Sequence, residues 1–511
     1  MNAAQLAKIF PTSMVKEIDA YTIEHEPIES IDLMERAAGA IHEWILKHFD
    51  KSRPVKVFAG TGNNGGDALA VSRMLVDSGF LVRVFLVRFS SRISNDFGIN
   101  CRRLEEQNIT FATEIRNEQE FPSVHKSDLI LDGIFGSGLS RPVSGTYLKL
   151  IKHINKNRPE VISIDIPSGL MGEDNSGNNV NGIIKARYTL SLQFPKLSFF
   201  FPENENYIGK WEVFSIGLHK TIIKQTSSNY YFVSPGFIKS NKKIRNKFSH
   251  KGNFGHALLI SGCYGKMGAA VLAARACLRT GVGLLTTHVP VKGIDILQTT
   301  VPESMLSIDQ SDILFSGPPA DIEMYSSIGI GPAIGCRNNS QKGLLELLRN
   351  FKKPIVIDAD GINILGQNRD WLKLLPENSI LTPHPKEFER LTGNAGTGYE
   401  RHLKQIEFAR EHKVIVVLKG AYTSIACPDG KCYFNPTGNP GLATAGSGDV
   451  LTGIVLSLLS QDYEPCMAAL LGVYLHGAAG DIAREKNGEE SLIASDIIEN
   501  IGKVFLSIEN D

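Results

Sequence analysis

The sequence predicts two α/β domains in tandem, each a parallel sheet layered between helices. At 511 residues the chain is too long for a single core. Short apolar strands alternate with helix-compatible segments in both halves. Many of the strands run into glycine-bearing turns, which the 48 glycines supply. The carboxyl ends of strands in a parallel sheet are where ligands bind.

Composition narrows the function classes. Apolar content is 42% and the net charge is zero, with no long basic run. That argues against nucleic acid or an anionic membrane as the main partner. The seven cysteines are scattered. Only Cys427 and Cys432 lie close in sequence, around a hairpin turn at Asp429-Gly430. No zinc spacing is evident, so a reduced, cytoplasmic setting is expected. The N-terminus shows no apolar core of signal-peptide length, and no segment reads as long enough to span a bilayer.

In chain order, Ser13–Glu24 and Ser30–Phe49 read as helices. In the second, Ile31, Met34, Ala38, Ile41 and Ile45 recur at helical spacing. Both precede the first strand, so they are expected to pack on a sheet or on a second subunit. A buried strand, 54–60, then runs into Thr61-Gly62-Asn63-Asn64-Gly65-Gly66-Asp67, read as a turn before a helix at 68–78 and a strand at 81–87. This βαβ unit lacks the GxGxxG pattern. Its asparagines and aspartate offer oxygens as well as N–H groups, suited to a phosphate and a hard monovalent cation together. The competing reading is a plain tight turn, but seven consecutive small or polar residues exceed what a turn needs. Two further strands, 128–132 and 161–165, end in Asp132 and Asp165, with Ser168 just beyond. An Asp at one strand end is commonly a cap or turn former. In a parallel sheet these three residues are expected to converge on 61–67.

The strings GNNGGD, DGIFGSG and DIPSG, with LMERAAGA upstream, resemble the YjeF N-terminal domain, the NAD(P)H-hydrate epimerases. The resemblance covers roughly residues 1–228. It implies a Rossmann-like three-layer fold binding the hydrated dinucleotides NADHX and NADPHX. It implies a potassium ion (K+) at Asn64, Asp132 and Ser168. Substrate contacts would come from Asn63, Asn64, Gly65, Gly66 and Asp67, and from Gly136, Ser137, Gly138, Leu139, Ser140, Arg141 and Pro142. Asp165 matches the family's acid–base residue. Ala68 stands where many members have another glycine.

Residues 218–250 lose the strand–helix rhythm, and the lysines and arginines of 239–247 read as a solvated linker or surface helix. A domain boundary is expected near 225–235. The second half, 235–511, resumes with strands at 255–260, 284–289, 327–330, 354–358, 379–382 and 414–418 and a hairpin over 423–434. Met267–Thr280 reads as a buried helix. Ala359–Asn363 reads as a turn closing a strand, and His384 is held between two prolines. A lone histidine is commonly structural; Lys419 beside Gly420 can pair with a phosphate or be a solvated turn lysine.

Ala445–Val455, AGSGDVLTGIV, is the most informative stretch. Small residues run into an apolar helix, so free N–H groups and the positive end of the helix dipole form an anion site. Asp449 sits inside it. A carboxylate beside a phosphate is costly unless it moves protons or binds metal; the plainer reading is an Asp N-cap.

GPAIG, DADGIN, LTPHPKEFERL, LKG and NPGLATAGSGDVLTG, in that order, resemble the YjeF C-terminal domain, the NAD(P)H-hydrate dehydratases of the ribokinase-like superfamily. The resemblance implies substrate contacts from Ala270, Gly335, His384 and Asp449. It implies nucleotide contacts from Lys419, Gly420, Ala421, Tyr422, Thr423 and Gly448. Fused chains of this kind point to ADP, with ATP the alternative and Mg2+ a plausible companion. It also suggests a homo-oligomer.

The expected chemistry joins the halves. The hydrate carries a hydroxyl on a reduced carbon beside the ring nitrogen, whose lone pair helps expel it. Hydroxide leaves poorly, so it must be protonated, or phosphorylated first. Asp449 is placed for that proton transfer, which as an acid requires a raised pKa. A chiral dehydratase site takes one epimer, and the first half would interconvert the two. Two alternatives stand beside this reading. One is a ribokinase-like small-molecule kinase fused to a nucleotide-binding scaffold. The other is a pure binding module, which the presence of Asp132, Asp165 and Ser168 disfavours.

Overall fold

Two sheets organise the chain, which a computed structural model describes at residues 6–90, 92–107 and 112–510. The outer limits of the expected domain ranges, 1 and 511, lie outside these residues. The chain forms two compact units. Among the described residues, one comprises Lys8–Ser228 with Thr397–Tyr399, the other 6–7, Asn229–Gly396 and 400–510.

In the first unit seven parallel strands lie in the order Ala112–Ile115, Val82–Val87, Val55–Ala59, Leu129–Gly133, Glu160–Ile164, Tyr188–Leu192, Lys210–Phe214. Strand order reverses beside Val55–Ala59. That strand pairs with Val82–Val87 on one side and Leu129–Gly133 on the other, with Phe58 opposite Asp132. At such a switch point the two following loops diverge to opposite faces and leave a crevice. Helix Ser30–His48 buries Ile31, Met34, Ala38, Ile41 and Ile45, the face its periodicity predicts.

The expected turn over 61–67 is shorter in the structure. Gly62 is the extended N-cap, and the helix runs from Asn63 to Asp77. Two adjacent glycines argue against a helix by propensity. Tertiary packing overrides this, because a Cβ on Gly65 would stand 1.7 Å from the Gly60 carbonyl oxygen. The glycines let the first helical turn lie directly on the strand end.

In the second unit a run of parallel strands is ordered Met305–Ile308, Leu284–Val289, His256–Ile260, Ser327–Ile330, Ile355–Ile357, Ile380–Leu381, Ile415–Leu418. The hairpin Ser424–Ala426 and Cys432–Phe434 continues it antiparallel, and Tyr230–Phe232 adds to its edge. Here the order reverses between His256–Ile260 and Ser327–Ile330. Helices Met267–Arg279, Ser447–Ser460, Pro465–Asn487 and Ala494–Asn510 supply much of the core beside the sheet.

Four sequence expectations are corrected. Residues 218–250 are not featureless, since they form helices Lys220–Gln225 and Pro235–Asn241 and the strand Tyr230–Phe232. Ala359–Asn363 is not a turn; it opens the helix Ala359–Gln367. Cys427 bonds to Cys466, not to a neighbour in sequence and not as a free thiol. Their separation of 39 residues hides that helix Pro465–Asn487 begins beside the hairpin. That same 23-residue helix is long and apolar enough to cross a membrane, contrary to the sequence reading. In this fold 67% of its most apolar window is buried, so the protein interior takes up its apolar surface.

Candidate active sites

The first site lies at the switch point of the seven-stranded sheet. Asp132 ends the strand Leu129–Gly133 and is 1% exposed. Its carboxylate accepts from Ser163 Oγ at 2.7 Å, Ser168 N at 2.9 Å, Ser168 Oγ at 2.5 Å and Ile134 N at 3.3 Å. Burial pushes its pKa up, and the Ser168 and Ser163 hydrogen bonds oppose that. The Phe135 amide donates to Ser168 Oγ at 2.8 Å, and Asn64 Nδ2 donates to the Phe135 carbonyl at 2.9 Å. Asn64, Asp132 and Ser168 are therefore brought together around the Phe135 carbonyl. The donor set is all hard oxygen once the Asn64 amide is turned, an orientation that hydrogen bonding alone assigns. Such a set fits a hard monovalent cation.

Asp165 does not join that cluster. Its backbone has φ +64°, a strained value for a residue with a side chain. The conformation turns its carboxylate onto Lys196, whose Nζ donates to Oδ1 at 2.6 Å; Leu192 N donates to the same oxygen at 3.1 Å. Lys196 is 3% exposed and also donates to the Phe194 carbonyl. Sequence reading missed Lys196, and no motif marks it. Asn64, Gly65, Gly66 and Asp67 are buried in the first turns of their helix, while Asn63 is exposed. Burial raises Asp67 well above the carboxylate range, with Asp165, Asp19 and Asp96 adding to it. The loop Gly136, Ser137, Gly138, Leu139, Ser140, Arg141, Pro142 is half-buried to exposed.

The second site is centred on the helix Ser447–Ser460. Gly446 is its N-cap at φ +87°, where a Cβ would stand 2.5 Å from Leu272 Cδ1. Left-handed backbone and lack of room both demand glycine. Asp449 is thus in the first turn and is not the N-cap, so the plainer reading falls away. The N–H groups of Gly448 and Asp449 precede the first intrahelical bond, Val450 N to Gly446 O. Burial raises the Asp449 pKa to about 6; Asp358 and Asp360 add to it, and Lys419 opposes it.

Lys419 ends the strand Ile415–Leu418. Its Nζ donates to Asp358 Oδ1 at 3.0 Å, and Thr452 Oγ1 donates to Asp358 Oδ2 at 2.8 Å. A Cβ on Gly448 would lie 3.4 Å from Lys419 Nζ, so the lysine stands against the anion-site backbone. Thr423 closes the turn 420–423 through a hydrogen bond to the Gly420 carbonyl at 3.1 Å. Ala421 is exposed, and Tyr422 is half-buried. His384 is the N-cap of helix Pro385–Thr392. Its Nδ1 accepts from Glu387 N at 3.3 Å, which leaves the proton on Nε2. Burial holds the ring below its ordinary pKa, against the pull of Glu387. Gly335, at φ +79°, donates its N–H to Asp360 Oδ2 at 2.9 Å.

Ala270 behaves differently from the rest. It is 0% exposed within the core cluster, packed under Gly262, so its side chain lines no open surface. The residues that sequence reading missed here are Asp358, Asp360 and Thr452. The first two lie in the DADGIN string and were legible as a motif, though not as partners of Lys419 and Gly335.

Comparisons with known proteins place the chain in a family. The family model described as NAD(P)H-hydrate dehydratase matches residues 257–503, and that described as YjeF-related protein N-terminus matches residues 30–198. The bifunctional NAD(P)H-hydrate repair enzyme of Moorella thermoacetica is 35% identical over 514 residues, covering 97% of this chain and 96% of that one. The Thermofilum pendens enzyme of the same name is 30% identical over 99% of this chain and 97% of its own. That of Escherichia coli is 29% identical over 93% and 89%. A solved Bacillus subtilis structure, an ADP/ATP-dependent NAD(P)H-hydrate dehydratase co-crystallized with ATP/Mg2+, is 30% identical with a TM-score of 0.48, covering 54% of this chain and 98% of that one. With similarity running the length of both halves, the chain belongs to the family of bifunctional NAD(P)H-hydrate repair enzymes.

Proposed function

We propose that the two sites divide the repair of hydrated NADH and NADPH between them, the first epimerising the R and S hydrates and the second dehydrating the S form. The observation that carries this is the placement of Asp449: a carboxyl with a pKa raised to about 6, in the first turn of a glycine-capped helix, with the site's lysine engaged elsewhere. A helix N-terminus draws in anions, and a proton-transfer group stands within it.

In the second site Gly448, with Lys419 and the turn 420–423, would hold the phosphates of an adenine nucleotide, ADP first and ATP as the alternative, with Mg2+. When bound, that nucleotide supplies a phosphoryl group able to turn a poor leaving group into a good one. The chain's own work is proton handling and orientation. Asp449 moves the proton at the hydroxyl oxygen of the hydrate. At pH 7.5 a carboxyl of pKa about 6 is present mostly as the base, and Asp449 is assigned the accepting role. His384 offers Nε2–H at the rim, and Asp360 fixes the Gly335 turn against the substrate. Asp358 holds Lys419 and Thr452 in place.

In the first site Asn64, Asp132, Ser168 and the Phe135 carbonyl would hold K+. When bound, the cation would supply positive charge for a substrate phosphate, while the Phe135 and Ser168 hydrogen bonds hold the loop that carries its ligands. Asp165 is the base, aimed by its strained backbone and by Lys196. The test is an absorbance assay on mixed R and S hydrates with ADP or ATP and with potassium varied. Full recovery of the reduced coenzyme is expected with nucleotide. Indifference to both hydrates overturns the reading.

A further inference from the structure

The helix Thr12–His25 precedes the first strand of the seven-stranded sheet, and none of the site motifs of the first half falls on it. Its placement makes it a wall of the first site. At its start, the Thr12 backbone N–H and hydroxyl donate to Glu173 Oε1 at 2.7 and 2.8 Å, in the loop beyond Ser168. One turn on, Lys16 Nζ lies 3.6 Å from where a Cβ on Gly138 would stand. Asp19 follows Lys16 by three residues and so shares its face. It is half-buried and close enough to Asp165 and Lys196 for their charges to act on it.

A charge count then singles Asp19 out. The carboxyls of Asp19, Asp67 and Asp165 act on one another, and Lys196 is the ammonium bonded among them. Asp96 lies beyond Asp67, its Oδ2 taking the Ser30 hydroxyl at 2.6 Å; Lys16 is exposed on the near side. Three carboxyls around one ammonium do not all ionise without a large penalty. Burial, then the Asp165 charge, lift Asp19 to about 6, with Lys196 opposing. Asp67 is 8% exposed within the first turns of its helix, whereas Asp19 is half-buried.

We propose that Asp19 is the proton donor that works opposite Asp165 in epimerisation, so that the first site is a two-carboxyl site completed by the N-terminal helix. This rests on the epimerase reading above. The hydroxyl beside the ring nitrogen gives its proton to the Asp165 carboxylate. The O–H electron pair becomes the second bond of a carbonyl. The carbon–nitrogen bond breaks with its pair on nitrogen, and that pair takes the proton of Asp19. The freed aldehyde turns about its adjoining carbon–carbon bond. Nitrogen then attacks the opposite carbonyl face and returns its proton to Asp19, while the oxygen recovers a proton from Asp165. Nothing is consumed, and only the configuration changes.

The experiment follows conversion of pure R hydrate to S in the full-length chain, without nucleotide, from pH 5 to 8. Variants are Asp19→Asn, Asp19→Glu and Asp165→Asn. For Asp19→Asn the expected result is a loss of about a hundredfold or more, with S dehydration unchanged, recovery within about tenfold in Asp19→Glu, and disappearance of the wild-type limb near pH 6. A carbon-13 titration of the Asp19 carboxyl in the wild-type chain is expected to show its midpoint in that same range. Wild-type rate and pH limb persisting in Asp19→Asn overturn the proposal, as does a carboxyl titrating in the ordinary range near 4. If wild type and Asp165→Asn alike give only spontaneous conversion, the epimerase reading itself fails.

Discussion

The two sites solve the same placement problem with opposite electrostatics. Each lays a glycine-bearing helix start against strand ends of a parallel sheet, the first where strand order reverses, the second beside the ends of Ile355–Ile357 and Ile415–Leu418. In the first, Asp165, the proposed base, carries its own counter-ion, Lys196, 3% exposed and 2.6 Å away. In the second, the available lysine is turned onto Asp358, and Asp449 is left among carboxylates and backbone N–H groups. In the first site the ammonium lies on the candidate base itself. A site whose lysine is shared, beside an uncompensated helix start, has room for an anion. The difference fits the proposal that only the second site calls for a nucleotide.

The comparison breaks most visibly if each carboxylate is removed in turn. Asp449→Ala is expected to lower S dehydration by roughly a thousandfold or more while leaving R–S interconversion intact. Asp165→Ala is expected to do the reverse, reducing interconversion towards the spontaneous rate. Separate assays of the two hydrates check both; loss of both activities in either variant would mean the sites are not independent.

Next in size is the buried network of the first site. Asp132→Ala leaves the Ser163 hydroxyl and the Ser168 amide and hydroxyl without their acceptor. The expected cost is about 3 kcal/mol, read by chemical denaturation as an earlier unfolding of the first unit. Among the described residues no such network surrounds Asp449, so Asp449→Ala should leave stability undiminished.

The pH dependence sharpens the contrast further. With Asp449 accepting a proton at a pKa of about 6, the S-dehydration rate should fall below that pH, approaching about tenfold per unit. A rate that instead falls above pH 6 would make Asp449 the donor. The smallest expected effect is on stability. The Asp449 pKa is raised from 3.8 to about 6 in the folded chain, so its favourable contribution is complete below 3.8 and lost as pH rises through 6. Asp449→Asn removes that penalty. At pH 8 it should raise the melting temperature of the second unit by about 2–4 °C, for a gain on the order of 1 kcal/mol; no gain at pH 8, or an equal gain at pH 4, would show that desolvation is not the cause.

Much of this was legible in the chain itself. Apolar strands, helical periodicity and glycine at strand ends are short-range signals. They located the strands Leu129–Gly133 and Glu160–Ile164, the helices Thr12–His25 and Ser30–His48, and the hairpin over 423–434, though not the strand Ala7–Ile9 that precedes both helices. What the sequence determined was therefore the layered architecture and the set of turns that face ligands. Charge pairing was decided only in three dimensions. Asp165 and Lys196 are 31 residues apart, Lys419 and Asp358 are 61 apart, and Cys427 and Cys466 are 39 apart. No local pattern sets those partners, because a charge or thiol responds to whatever the fold brings within a few ångströms. The same holds for helix Asn63–Asp77, whose start at two asparagines and two glycines follows from packing on Gly60 rather than from propensity. Tertiary structure alone gave each candidate carboxyl its company: Lys196 for Asp165, and Asp358, Asp360 and Lys419 for Asp449.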